Sequence, residues 1–334
     1  MDALDAARFR IYALQDGAVR AQALAFCLRR GLFDRLEEGA LTLEGLTFEL
    51  GLSPRVLTSL LGFLVSQGLL VRHGDGRFAN TAAASAFLVR ANASYVGGRG
   101  LLFEGFYDAI KHLPASLATG MPWTPEGQHD MFASFGDADQ AWFADGMFAN
   151  AVHGGRGLVE LVDFRPFRSM LDVGGNAGGY AIAVLAANPA LQAVIFDLPP
   201  LRDLAVKRVH EAGLSGRVTY AAGSFFTDPL PRGHDVMLLS SILHDWADDE
   251  CGRILGACFA ALDAGGTIVV TEPMLSPDYT GPDHPSVSGL TMALLGGENR
   301  TQEQICGLLQ AARFDDCWCS PLGPQNSVVT ARKQ

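Results

Sequence analysis

The spacing of apolar residues divides the chain into two textures. Up to about residue 110 they recur every three or four positions. In GAVRAQALAFCLRRGLFDRL, residues 17–36, this spacing runs on until it stops near Gly39, which predicts helix. The next stretch, TLEGLTFELGLSPRVLTSLLGFLVSQGLLVRHGDGRFANT, reads as a helix, a turn at Gly51, a second helix from Pro54 and a small hairpin around HGDG. That is the outline of a winged helix. The second helix is apolar nearly all round, so it is expected to be buried.

After residue 165 the pattern changes. SMLDVGG, QAVIFDLP, VTYAAG, DVMLLSSIL and GTIVVTEP are short apolar runs separated by helix-length segments. This alternation predicts βαβ units, a parallel sheet and an α/β fold. Residues 95–160 lie between the two textures and read as helices rich in aromatics: Phe103, Phe106, Tyr107, Trp123, Phe132, Trp142, Phe143 and Phe148. The expected organisation is a helical winged-helix domain at 1–95, linking helices that wall a pocket at 96–160, and an α/β domain at 161–334.

Composition narrows the partners. The chain has 334 residues, 49% of them hydrophobic and 18% charged, which suits about two globular domains. No apolar run reaches the roughly 18 to 20 residues of a membrane span, and MDALDAARFR is charged and polar, unlike a signal peptide. A cytoplasmic protein without a membrane partner is expected. The net charge of −11 argues against nucleic acid, which demands clustered Lys and Arg. The would-be recognition helix offers only Arg55 as a base. The six cysteines lack the C-x-x-C spacing of a zinc site and are read as buried thiols.

Ligands of parallel sheets bind beyond the carboxyl ends of the strands, so chemistry is sought there. The first strand ends in LDVGGNAGGY, residues 171–180. Its glycines allow a tight turn and close backbone approach to a ligand. No G-K-[ST] follows, and the G-x-G-x-x-G spacing of a dinucleotide site is missing. The second strand ends in Asp197, about 25 residues after Asp172, where a carboxylate can take both ribose hydroxyls. Asp172, just before the glycines, suits a cationic nucleoside better than a pyrophosphate. A third strand ends in SSILHDWADDEC, with His244, Asp245 and Trp246 side by side. Asp245 and Asp248 also compete as caps of the following helix.

LDVGGNAGGY, IFDLP, GSFFTDPLP, LHDWADDEC, TEPML and GGENRTQEQ occur in that order. They resemble the caffeic acid/hydroxyindole O-methyltransferase family, including its bacterial natural-product members, over nearly the whole chain. The resemblance implies a Rossmann-like class I methyltransferase domain that uses S-adenosyl-L-methionine. It also implies an N-terminal winged-helix domain that forms a homodimer, and a small-molecule methyl acceptor. Carried over, Asp172, Gly174, Gly175 and Gly178 contact the methionine part of the cofactor. Asp197, with Leu198, takes the ribose. Ser224, Phe225 and Phe226 lie beside the adenine, with Ser224 in place of the usual Asp. Ser240 stands where many members have a Lys, and Trp246 packs beside the cofactor. His244 is the general base, with Glu272 and Asp245 around it. The second family acid falls on Asn299, with Glu298 one place early. Phe103, Tyr107, Trp142, Phe143, Met147, His153 and Met292 are candidates for the acceptor pocket, together with Asn299.

An oxygen acceptor requires His244 as base. A sulfur or nitrogen acceptor requires little or no base. A carbon acceptor such as a keto acid brings in a base or a metal on His244 and Asp245, but a facial site takes a third ligand, and His284 serves only if its loop folds in. No metal is expected. Two readings from other classes stay open: a DNA-binding regulator with a nucleoside-sensing domain, and a NAD-dependent dehydrogenase.

Overall fold

The computed structural model describes residues 3–92, 94–123 and 137–334, without the side chains of 3, 102–105, 108 and 137–142. The chain divides into two compact units, residues 1–107 and 108–334.

In the first unit the helices Ala3–Gln15, Gly17–Arg29 and Leu32–Glu38 lead into Leu43–Leu50 and Pro54–Ser66. The last two are bent by 113° at the break between them. The Thr42 hydroxyl caps the first by accepting from the Gly45 N–H at 3.1 Å. Pro54 opens the second, where its missing N–H costs nothing. Strands β1 (Leu70–Arg72) and β2 (Phe78–Asn80) pair antiparallel, Leu70 opposite Asn80. The loop between them is closed by the His73 N–H donating to the Arg77 carbonyl at 2.8 Å. The predicted winged-helix outline is therefore present. Phe33, Leu46, Leu57, Leu61 and Leu64 form its core.

Within the chain, helix Pro54–Ser66 is buried on one face. Leu57, Leu61 and Leu64, three and four residues apart, face the core. Arg55, Val56, Ser59 and Gly62 face away, and Val56 is 56% exposed. Phe48, on the preceding helix, is 87% exposed. Among the described residues no single helix is long and apolar enough to cross a membrane.

The second unit is built on a sheet that, among the described residues, has seven strands. They are β3 (Ser169–Val173), β4 (Gln192–Asp197), β5 (Val218–Ala222), β6 (Val236–Ser240), β7 (Thr267–Glu272), β8 (Phe314–Leu322) and β9 (Asn326–Lys333). Their order is β5-β4-β3-β6-β7-β9-β8. The first five are parallel; β9 runs antiparallel to β7, and β8 to β9. All five strands predicted from the apolar runs are here. Apolar clusters lie on both faces, so residues such as Met170, Leu171, Val236–Leu239 and Ile268–Val270 are fully enclosed. This explains why these strands read as continuous apolar runs and not as alternating ones. The strand order reverses at β3, whose neighbours are β4 and β6. The carboxyl ends of β3 and β6 therefore flank the switch point where ligands of such sheets bind. Cys27, Cys251 and Cys258 are buried, but Cys306, Cys317 and Cys319 are only half-buried, which corrects the expectation for those three.

Candidate active site

The glycine turn leaves β3 after Val173. A side chain at Gly174 would collide with Ile242, and a Cβ at Gly175 would lie 2.7 Å from the Asp172 carboxylate. Backbone alone fits there. Asn176 sits at φ 52, an uncommon left-handed conformation outside glycine. Its N–H donates to Asp197 Oδ2 at 2.7 Å, and the Leu198 N–H donates to Asp197 Oδ1, also at 2.7 Å. The two strand ends are thus tied together through one carboxylate. Gly178 precedes helix Gly179–Ala187.

Asp172 is the unusual group. It is 1% exposed, and neither carboxylate oxygen has a hydrogen-bond partner among the described residues. Burial, then the nearby Asp197 charge, pushes its pKa up to about 7. The Ala181 backbone N–H offsets this in part while falling short of a hydrogen bond. Burial raises Asp197 to about 6 against the two amides it accepts from. A buried, orphaned acid beside a partly buried one is an arrangement that suits a cation.

The opposite wall comes from β6. Ser241, just past its end, holds φ 54, so the chain turns sharply into the His244 segment. The Ser240 hydroxyl accepts from Thr271 Oγ1 at 3.0 Å. Phe225, Phe226 and Trp246 form one edge-to-face cluster, with ring centroids 4.7–6.0 Å apart. Ser224 is used locally: its N–H donates to Asp228 at 2.9 Å and its hydroxyl accepts from the Phe226 N–H at 3.3 Å. That turn presents the two phenylalanines.

His244 lies on a short helical turn, Leu243–Asp245. Its Nδ1 is enclosed and faces Glu272 Oε2 at 3.4 Å, and its Nε2 faces Asp245 Oδ1 at 3.4 Å. The other oxygen of Glu272 accepts from the Ile242 and Leu243 N–H groups at 2.9 and 2.8 Å. Glu272 therefore braces the turn and faces the imidazole. Burial lifts Glu272 to about 7. Burial, Arg300 and His284, in that order, depress His244 to about 4. Both groups favour their neutral forms, and a neutral imidazole is the form that can take a proton. The side chain of His244 stays 14% exposed.

Arg300 went unnoticed in the sequence. It is 3% exposed and donates to the Leu243 carbonyl at 2.8 Å, to the Trp246 carbonyl at 2.9 Å and to Asp248 at 2.9 Å. It therefore staples both ends of the His244 turn. The Glu298 N–H donates to the His244 carbonyl at 2.8 Å. Neither Asp245 nor Asp248 caps helix Asp248–Ala261, as had been expected. The cap is Ala247, whose N–H donates to Glu250 at 3.3 Å, while Asp248 pairs with Arg300. Asn299, a polar pocket candidate, lies below the surface. It is 3% exposed, and its amide donates to the Pro285 carbonyl at 2.8 Å.

Of the other pocket candidates, Phe143, Met147 and Met292 are half-buried. His153 is exposed, and Tyr107 donates its hydroxyl to the Ala18 carbonyl at 3.0 Å within the first unit. The side chains of Phe103 and Trp142 lie outside the described residues, as does Phe132. Trp123, one of the aromatics noted in the sequence, donates its backbone N–H to the Leu294 carbonyl at 2.8 Å, and its ring stacks on His112 at 5.7 Å. Among the described residues no group of three or more His, Cys, Asp or Glu could hold a metal ion.

A glycine turn, a strand-end acid and an orphaned acid at the switch point of an open α/β sheet suit a cationic nucleoside. The chain belongs to the O-methyltransferase family. Residues 119–315 match the model of the O-methyltransferase domain, and residues 12–90 that of the O-methyltransferase dimerisation domain. It is 34% identical over 305 residues to 3-hydroxy-5-methyl-1-naphthoate 3-O-methyltransferase of Streptomyces sahachiroi, covering 90% of this chain and 87% of that one. It is 30% identical over 339 residues to acetylserotonin O-methyltransferase of Bos taurus, covering 95% of each. The structure of human N-acetylserotonin methyltransferase in complex with S-adenosylmethionine superposes with a TM-score of 0.90 at 25% identity, over 100% of this chain and 98% of that one. The enzyme is thus an S-adenosylmethionine-dependent methyltransferase.

Proposed function

We propose that the enzyme methylates a hydroxyl group of a small molecule, with His244 as the general base. The observation that carries this is the neutral, partly exposed imidazole held between Glu272 and Asp245 at the carboxyl end of β6. S-adenosylmethionine, when bound, supplies an electrophilic methyl group. Asp172, Gly174, Gly175 and Gly178 would hold its methionine part, and Asp197 its ribose. The orphaned Asp172 carboxylate suits its positive charge. Phe225, Phe226 and Trp246 offer aromatic faces to its base.

Positioning is the first task of the chain, because an acceptor held in line reacts far faster than a free one. His244 then takes the hydroxyl proton, and Nε2 is the nitrogen left for it, since Nδ1 is enclosed against Glu272. Glu272, ionising near neutrality, stabilises the imidazolium that forms. Arg300 keeps the turn rigid through its main-chain carbonyls.

The family's dimerisation domain supports a homodimer formed through the first unit. The six free thiols fit a reducing, cytoplasmic setting.

His244→Ala is expected to lower kcat by about 10²- to 10⁴-fold, the usual worth of a positioned base. Affinity for S-adenosylmethionine, measured by calorimetry, should stay within a few fold of wild type. Unchanged turnover would remove the base from the mechanism and point to a sulfur or nitrogen acceptor.

A further inference from the structure

Three of the six cysteines gather where helix Gln302–Ala311 packs on β8, an edge strand of the sheet. Strand alternation alone does not put them there. Phe314 is enclosed in the core, so in an unbroken strand its face would pass to residues 316 and 318. The ladder instead slips between Asp315 and Trp318, where three steps along β8 match two along β9, from Arg332 to Thr330. Asp316 takes up the extra residue at φ 55. This bulge moves the side chains that follow to the other face. Trp318 is left 45% exposed, while Cys317 and Cys319 pack against the core under the helix. Cys306 of the helix meets them there. Its Sγ lies 3.4 Å from Cys319 Sγ, and Cys317 also borders it. All three thiols are free and half-buried, and none belongs to the candidate active site.

We infer that Cys306 and Cys319 form a redox modification site, which a hydroperoxide oxidises to a disulfide that tethers helix Gln302–Ala311 to β8. The two sulfurs have only about 1.4 Å to close before they reach bonding distance. One thiolate attacks a peroxide oxygen, the O–O bond breaks, and a sulfenic acid and water form. The second thiol attacks that sulfur, the S–O bond breaks, and its proton leaves with the hydroxyl as a second water. The two thiols lose two electrons and hydrogen peroxide takes them up. Burial, then Cys306, push the Cys317 and Cys319 thiols up to about 12, so those two rest as neutral thiols at neutral pH. Glu303 on the helix and Asp315 and Asp316 on the strand add negative charge around them. That charge repels an anionic thiol such as glutathione and leaves the neighbouring cysteine as the partner at hand. The helix starts just after Arg300, which staples the His244 turn, so the tether stiffens the support of that turn.

The test treats the reduced full-length protein with hydrogen peroxide. Free thiols are then counted under denaturing conditions, and cross-linked peptides are mapped by mass spectrometry. Wild type should fall from six thiols to four, since one disulfide consumes two. It should carry a peptide pair joining Cys306 to Cys319, run as a single chain on a non-reducing gel, and regain all six thiols with dithiothreitol. Cys306→Ser should keep its remaining thiols through the same treatment. Oxidised wild type should melt about 5 °C above the reduced protein, as expected for closing a short loop, and treated Cys306→Ser should not. Wild type that keeps six thiols, a bond that joins two copies, or a Cys306→Ser variant that loses thiols as fast as wild type overturns the inference. A disulfide that leaves the melting temperature unchanged or lowers it overturns the tether. The wild-type peptide map decides the case even where a variant fails to fold.

Discussion

At the scale of single residues the site is governed by two neighbouring acids, one buried and one partly buried. Asp172 and Asp197 are held at about 7 and about 6, above the ordinary carboxylate range. In the free protein they bind protons that the unfolded chain has already released, so between about pH 4 and 7 they destabilise the fold as pH rises. A cationic ligand favours their ionised forms. Affinity for S-adenosylmethionine is therefore expected to rise between pH 5.5 and pH 8, read by calorimetry at several pH values. Asp172→Asn should flatten that slope and weaken binding at pH 8 by about tenfold, one pKa unit of interaction. A slope identical in the variant would show that Asp172 does not carry the effect. The glycine turn, Asp197, His244 and Glu272 were all legible in the sequence because each sits at the end of an apolar run. Arg300 was not. An arginine whose partners are main-chain carbonyls of another segment leaves no periodic trace, and its meaning appears only once Leu243 and Trp246 are seen beside it.

At the scale of elements the parallel strands were readable because both their faces are covered. Helix Pro54–Ser66 is apolar nearly all round in composition, and only the Leu57–Leu61–Leu64 face finds a core within the chain. The element that carries the proposed base, the Leu243–Asp245 turn, is among the shortest, and no pattern of spacing marks a single turn. It is held from behind by residues 297–300. Gly297 lies so close to the His244 carbonyl that any side chain there must push it. Gly297→Ala is expected to cost about 1–3 kcal/mol of stability, typical of overpacking, and to lower kcat more than it raises the cofactor Kd. Denaturant melts and steady-state kinetics check this together. A variant with normal kcat would mean that the backbone of the turn tolerates displacement.

For the whole molecule, the first unit leaves large apolar side chains in solvent. Phe48 and Val56 lie on neighbouring helices that meet at the bend after Leu50. Single exposed apolar residues are ordinary; on a domain that matches the dimerisation model, these two are the side chains with which to test for a surface that takes a second copy. Phe48→Asp combined with Val56→Asp is expected to shift the protein from dimer to monomer in analytical ultracentrifugation. The fold should change little, since both side chains are already exposed. A double variant that still sediments as a dimer would place the interface elsewhere. The second unit carries its own long-range dependence. Strand β9 is bonded to β7 along its length, and the register ends with Ser327 opposite Glu272. The residue that faces His244 is thus clamped by one of the last segments of the sequence. Truncations or insertions that reach into Asn326–Lys333 remove backbone pairing beside Glu272, so a reporter is better carried elsewhere on the chain.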